Sequence, residues 1–220
     1  MRSSRICVPL LALLGFGWVA LGWEDTLFGQ AVPASEEAAL TDDPLVRPLA
    51  CVIRSEETCE LGKVPQIKVA ITNRTMADIY LVGSLDASDS QRRYPHCYFE
   101  VIGPDGKSAI PEFSGCSFKN TLREQDFVPV RPRKSFDPYQ KIDDYGFFSA
   151  YQLAPETFRR PGEYRIRFIY STKNDNIVDW AGDGFRKVAV DEKLLGMFKQ
   201  VPKVEVRSNE FKVTIVEPGK

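Results

Sequence analysis

A chain of 220 residues with 43% hydrophobic and 27% charged content is sized for one domain plus appendages, and its composition excludes collagen-like, low-complexity or wholly disordered polymers. Its 29 basic residues against 30 acidic ones give no global excess that advertises nucleic acid or an anionic membrane surface. A single histidine leaves little material for imidazole-based hydrolysis or zinc chemistry.

Arg2 and Arg5 precede an uncharged apolar run from Ile6 to Trp23, and Glu24 and Asp25 follow it at once. This is the basic and apolar pattern of an export signal, with small residues that suit cleavage after Gly22 or after Ala31. The run also approaches the roughly 18 apolar residues of a membrane span, so retention as an N-terminal anchor is the second outcome. In both cases the remainder is extracytoplasmic: periplasmic, secreted or held at the outer face of a membrane. Residues 1–22 therefore read as signal peptide or anchor, residues 23–46 as a disordered acidic spacer, and residues 47–220 as the folded domain. The division separates charge as well. Residues 1–46 hold two arginines and six acids, which leaves 27 basic against 24 acidic residues, a formal +3, for residues 47–220.

Export bears on the cysteines. With Cys7 inside the apolar run, Cys51, Cys59, Cys97 and Cys116 form an even set, which in an oxidising compartment suggests two disulfides. Three pairings exist, and the one closing the shortest loops joins Cys51 to Cys59 and Cys97 to Cys116. The spacings match no zinc pattern, and adjacent His96 and Cys97 in a strand point to opposite faces, so they make no catalytic dyad.

Period-two alternation then marks strands at 67–72, 97–102, 163–170, 204–206 and 211–216, with a more continuous apolar strand at 78–85. Asn73-Arg74-Thr75 closes the first of these as a turn and is also a glycosylation sequon. Gly103-Pro104-Asp105-Gly106 supplies hairpin chemistry. In the strand at 163–170, Tyr164, Ile166, Phe168 and Tyr170 share one face and Arg165 and Arg167 the other. Asp191 to Lys199 carries an N-capping Asp and apolar Leu194, Leu195 and Phe198 at helical spacing, while Gly196 limits it to about two turns. Many short strands and one stub helix predict an all-β fold, an antiparallel sandwich.

Leu61-Gly62 followed by Val69-Ala70-Ile71-Thr72-Asn73, then Pro161-Gly162-Glu163-Tyr164-Arg165-Ile166, and finally Ser208-Asn209-Glu210-Phe211-Lys212-Val213 carry a resemblance. On these motifs the chain from Leu49 to Pro218 resembles bacterial immunoglobulin-like or fibronectin-like sandwich modules. The resemblance implies that Tyr164, after its Pro-Gly turn, hydrogen-bonds back across a corner. It implies little about function, since this architecture hosts many roles. The long connections at 84–96, 112–151 and 171–201 depart from a minimal module and are where binding residues would sit.

Aromatic and basic residues interleave in the second connection. Arg131, Arg133, Phe136, Tyr139, Tyr145, Phe147 and Tyr151 form the candidate binding surface, with Arg123, Lys134, Arg159 and Arg160 as possible neighbours. The competing reading is that the aromatics plug one end of the core and the cations form a solvated face. Asn174, Asp175, Asn176, Asp179 and Asp183 loosely resemble a calcium loop but lack its alternate acids and terminal Glu, so turn chemistry explains them. Asp143, Asp144, Glu112, Asp126 and Asp183 are the carboxylates left for a hydrolase, and no nucleophile elbow, phosphate loop or HExxH accompanies them. The expectation is a non-enzymatic exported module without cofactor or metal, binding a protein or envelope component, including glycan, and not nucleic acid. A proteinase inhibitor or a carbohydrate-binding or carbohydrate-active module on the same fold are the alternatives.

Overall fold

The computed structural model describes residues 47–111, 119–139, 153–182 and 191–219. In chain order these form β1 (Leu49–Arg54), β2 (Thr58–Glu60), β3 (Lys68–Asn73), β4 (Ile79–Val82), β5 (His96–Ile102), β6 (Phe127–Val130), β7 (Ser135–Phe136), β8 (Gly162–Ser171), α1 (Val178–Ala181), α2 (Glu192–Lys199), β9 (Glu205–Arg207) and β10 (Phe211–Val216). The chain is mostly β structure, with two short helices among the described residues. The described residues belong to one compact unit; the expected signal and spacer lie outside them.

Three sheets form: β1-β3-β7, then β2-β10-β8-β5 with β9 also pairing β8, and the ribbon β4-β6. Alternation decides what each strand buries. In β1, Leu49, Cys51 and Ile53 point inward while Val52 and Arg54 are exposed; in β8, Tyr164, Ile166 and Phe168 point inward while Arg165 and Arg167 face solvent. The inward sets of the two larger sheets meet in one core that includes Ile71, Phe99, Phe136, Phe158, Val213 and Ile215. Burying each such side chain is worth about 1.5–3 kcal/mol. The expected antiparallel order is broken once: β2 runs parallel to β10, Thr58 opposite Thr214 and Glu60 opposite Val216. The reason is local, because Ser55–Glu57 carries the chain out of the first sheet and lays β2 along the far edge of the second.

Outer-face charges on the second sheet neutralise one another. Arg167 and Arg165 reach Glu210 at 3.1 and 3.9 Å, Lys212 reaches Glu163 at 2.9 Å and Lys173 reaches Glu205 at 3.0 Å. At the Pro161–Gly162 corner, the Tyr164 hydroxyl donates to the Arg160 carbonyl at 3.0 Å and accepts from the Arg160 N–H at 3.3 Å. Gly162 sits there at φ +132°, and a Cβ would come within 2.8 Å of Pro104.

The three long connections do not simply hang over the surface. Their described parts converge on a second hydrophobic core of Val82, Leu85, Leu122, Phe127, Ile177, Trp180, Ala181, Leu194, Phe198 and Val201. Trp180 is its centre, fully buried, with its indole N–H donating to Asn174 O at 3.1 Å and its ring edge-on to Phe198. Backbone bonds Tyr94 N to Asp179 O and Leu122 N to Ala181 O lace the connections together, and buried Arg93 donates from Nε to Trp180 O at 2.8 Å. Asp191 caps α2 by accepting from Lys193 N, and α2 lays Leu194 and Phe198 onto this core.

Candidate functional site

Half of the described part of the expected surface is interior. Phe136 lies opposite Ile71 in β7 and is 5% exposed, because alternation turns Ser135 outward and Phe136 in. Tyr139 stacks on Phe99 with ring centroids 6.1 Å apart and meets Phe168 edge-on at 5.8 Å. These two rings hold the two larger sheets together and are not a displayed platform, so of the two sequence readings the core one applies to them, and Phe136 and Tyr139 leave the candidate surface. Tyr145, Phe147 and Tyr151 fall outside the described residues, as do Cys116, Glu112, Asp143, Asp144 and Asp183. Arg131 and Arg133 are exposed on the β6–β7 turn.

Other candidates resolve into structure. Cys51, Cys59 and Cys97 are free thiols. The short Cys51–Cys59 bridge is not formed, since Cys51 points into the core from the first sheet while Cys59 lies on β2 in the second. Burial pushes the Cys51 thiol up to about 12 and Cys97 well up too, which keeps both protonated and unreactive. His96 is half-buried and stacked on Tyr94 at 3.9 Å; burial, then the charge of Lys173, holds its imidazole below the usual range. Asp126 is buried against Arg123 at 2.7 Å. Asn174, Asn176 and Asp179 are committed to turn bonds among themselves and their backbone. No group of three metal-ligating side chains exists among the described residues.

One end of the first sheet presents a different picture. Asn73 ends β3 and is fully buried. Its Nδ2 donates to Ala77 O and to Val130 O, both at 2.8 Å, and its Oδ1 accepts from Thr75 N at 2.9 Å and Thr75 Oγ1 at 2.8 Å. Its own backbone accepts from Arg133 N at 2.8 Å and donates to Lys134 O at 3.0 Å. One residue thus fastens the loop 74–78 to the turn 131–134. Nothing of its amide remains free, so in the folded state the sequon offers no acceptor nitrogen. Thr75 Oγ1 also lies 2.9 Å from Ala77 O, an alternative acceptor for its one proton, and accepts from Ala77 N at 3.3 Å.

This truss holds Met76 at the loop tip, 82% exposed, the most exposed large apolar side chain among the described residues. Arg131, Arg133 and Lys134 are exposed on the adjoining turn, with Arg133 at φ +61°. Arg74 N donates to Pro48 O at 2.9 Å, which brings Arg47 to the same end. Sequence reading recognised the turn and the arginines but not Met76, whose only signal was an apolar residue inside a polar turn.

The chain matches no protein-family profile, no curated protein and no solved structure. The site offers an exposed apolar side chain on a hydrogen-bonded loop beside exposed cations.

Proposed function

We propose that this protein is an exported, non-enzymatic module of immunoglobulin-like type that binds an envelope component or another extracytoplasmic protein through one loop-bearing end. The observation that carries the reading is the Asn73 truss, which holds exposed Met76 rigidly beside the cationic 131–134 turn. Ordering a flexible loop on binding costs affinity, and a loop already tied by a buried amide avoids that loss. Met76, exposed at the tip of that tied loop, would be the apolar contact and the cations beside it the polar ones.

The test places a photoreactive side chain at position 76 in the full chain, with position 212 on the paired outer face of β10 as control. Capture from 76 and not from 212, in native cells, is the expected result. Equal capture at both positions, or none at 76, removes this end as the binding surface.

A further inference from the structure

We propose that the end built on Asn73 docks on an anionic lipid bilayer, with Met76 entering the headgroup region and Arg47, Arg131, Arg133 and Lys134 facing lipid phosphates. The inference rests on reading this end as the binding surface and names the envelope component it meets.

Three observations point the same way. First, on the outer face of the second sheet Arg165, Arg167, Lys173 and Lys212 all sit against carboxylates. Arg47, Arg131, Arg133 and Lys134 are exposed and make no ion pair among the described residues, with Asp78 the exposed acid in the neighbouring loop. Unmatched cations on one face of a nearly neutral protein are a local field that the overall charge conceals. Second, the apolar element is a single flexible thioether at a tip, without a surrounding apolar surface. A protein partner would need a pocket shaped to it, whereas a bilayer accepts one inserted side chain wherever phosphates surround it. Third, the chain enters the described domain at this end, through the bond from Arg74 N to Pro48 O. The apolar run 6–23, where retained as an anchor, joins the domain through this end of its chain.

The truss makes the arrangement specific. The cations at 131, 133 and 134 and the knob at 76 are fixed to one another through Asn73, so phosphate contact and insertion occur together.

The experiment uses the full chain carrying Met76→Trp, in phosphatidylcholine vesicles with or without about 30% phosphatidylglycerol, and brominated lipid as quencher. The wild-type chain sets the background from its own tryptophans. Extra quenching from position 76 is expected in anionic vesicles only, weakening with salt and unaffected by millimolar inorganic phosphate. Adding Arg131→Glu with Arg133→Glu should lower engagement at least roughly 25-fold, at about fivefold per charge removed. Removing the knob, read by sedimentation of Met76→Ala at high salt against wild type, should cost roughly tenfold or less. Matched thermal melts show that the variants fold. Quenching that is equal in neutral vesicles, absent in both, or unchanged by the double charge reversal overturns the lipid assignment. If photocapture from position 76 yields a protein while quenching is absent, the binding surface stands and its lipid partner does not.

Discussion

Replacing Asn73 by alanine tests the reasoning behind the site most directly. The side chain makes four hydrogen bonds at 2.8–2.9 Å, two of them as donor to carbonyls of different segments. Each is worth about 1 kcal/mol net, and the buried Val130 carbonyl loses a partner that water reaches poorly. Allowing for solvent replacing the bonds nearer the surface, the loss comes to about 3 kcal/mol. For a domain of this size that lowers the midpoint of thermal unfolding by about 6–12 °C. Urea unfolding followed through the buried Trp180 measures it, with an unchanged dependence on denaturant showing that the native state keeps its compactness. Asn73→Asp is the sharper comparison. It keeps the acceptor for Thr75 but turns a carboxylate towards the Ala77 and Val130 carbonyls, so it should destabilise at least as much as alanine. A loss under about 1 kcal/mol for alanine, or a tolerated aspartate, would refute the view that this residue fastens loop to turn.

Three further outcomes follow from the geometry. Tyr164→Phe removes the corner bond to Arg160 and should cost about 1 kcal/mol in the same unfolding assay. Gly182→Ala sets a Cβ 2.3 Å from Asn120 O at a backbone φ of +81°; strain and clash together should cost at least about 2 kcal/mol, and a neutral substitution would show that the second core yields easily there. Lys203, half-buried over the Phe198 and Trp180 rings and donating to Phe198 O, is lowered from 10.5 to about 8, chiefly by burial, with Asp175 opposing the shift. Between those values the unfolded chain holds the proton that the folded one has lost, so stability rises with pH across this window. The difference between wild type and Lys203→Met, measured from pH 7 to 10.5, should therefore grow in favour of wild type as pH increases; taking the difference cancels the opposite trend of the buried thiols. A flat difference would place the ammonium in solvent.

Strands that bury one face were readable because alternation is set within the strand itself: β3, β5, β8 and β10 each begin and end within two residues of the expected runs. β1 has the same alternation in Leu49, Cys51 and Ile53, but it begins directly behind the spacer, where the cysteine drew the reading towards a disulfide. β6 contains Pro129, which argues against a strand unless the missing N–H falls where no ladder bond is needed, as in the short β4-β6 ribbon. β7 has two residues, too few to tell inside from outside, so sequence alone leaves Phe136 between surface and core. Arg131 and Arg133 were legible as charge. Met76 was not, because its exposure depends on Asn73 gripping Val130, which lies 57 residues away.

The parallel pairing of β2 with β10, together with Asn209 clasping the backbone of Ile53 from 156 residues away, has a consequence for how the molecule is made. β2, the second strand of the chain, finds its strand partner only in β10. A nascent chain therefore cannot complete this sheet until residues 211–216 have emerged from the ribosome. Such a delay keeps a chain threadable, the condition that a protein proposed to cross a membrane before it folds has to meet.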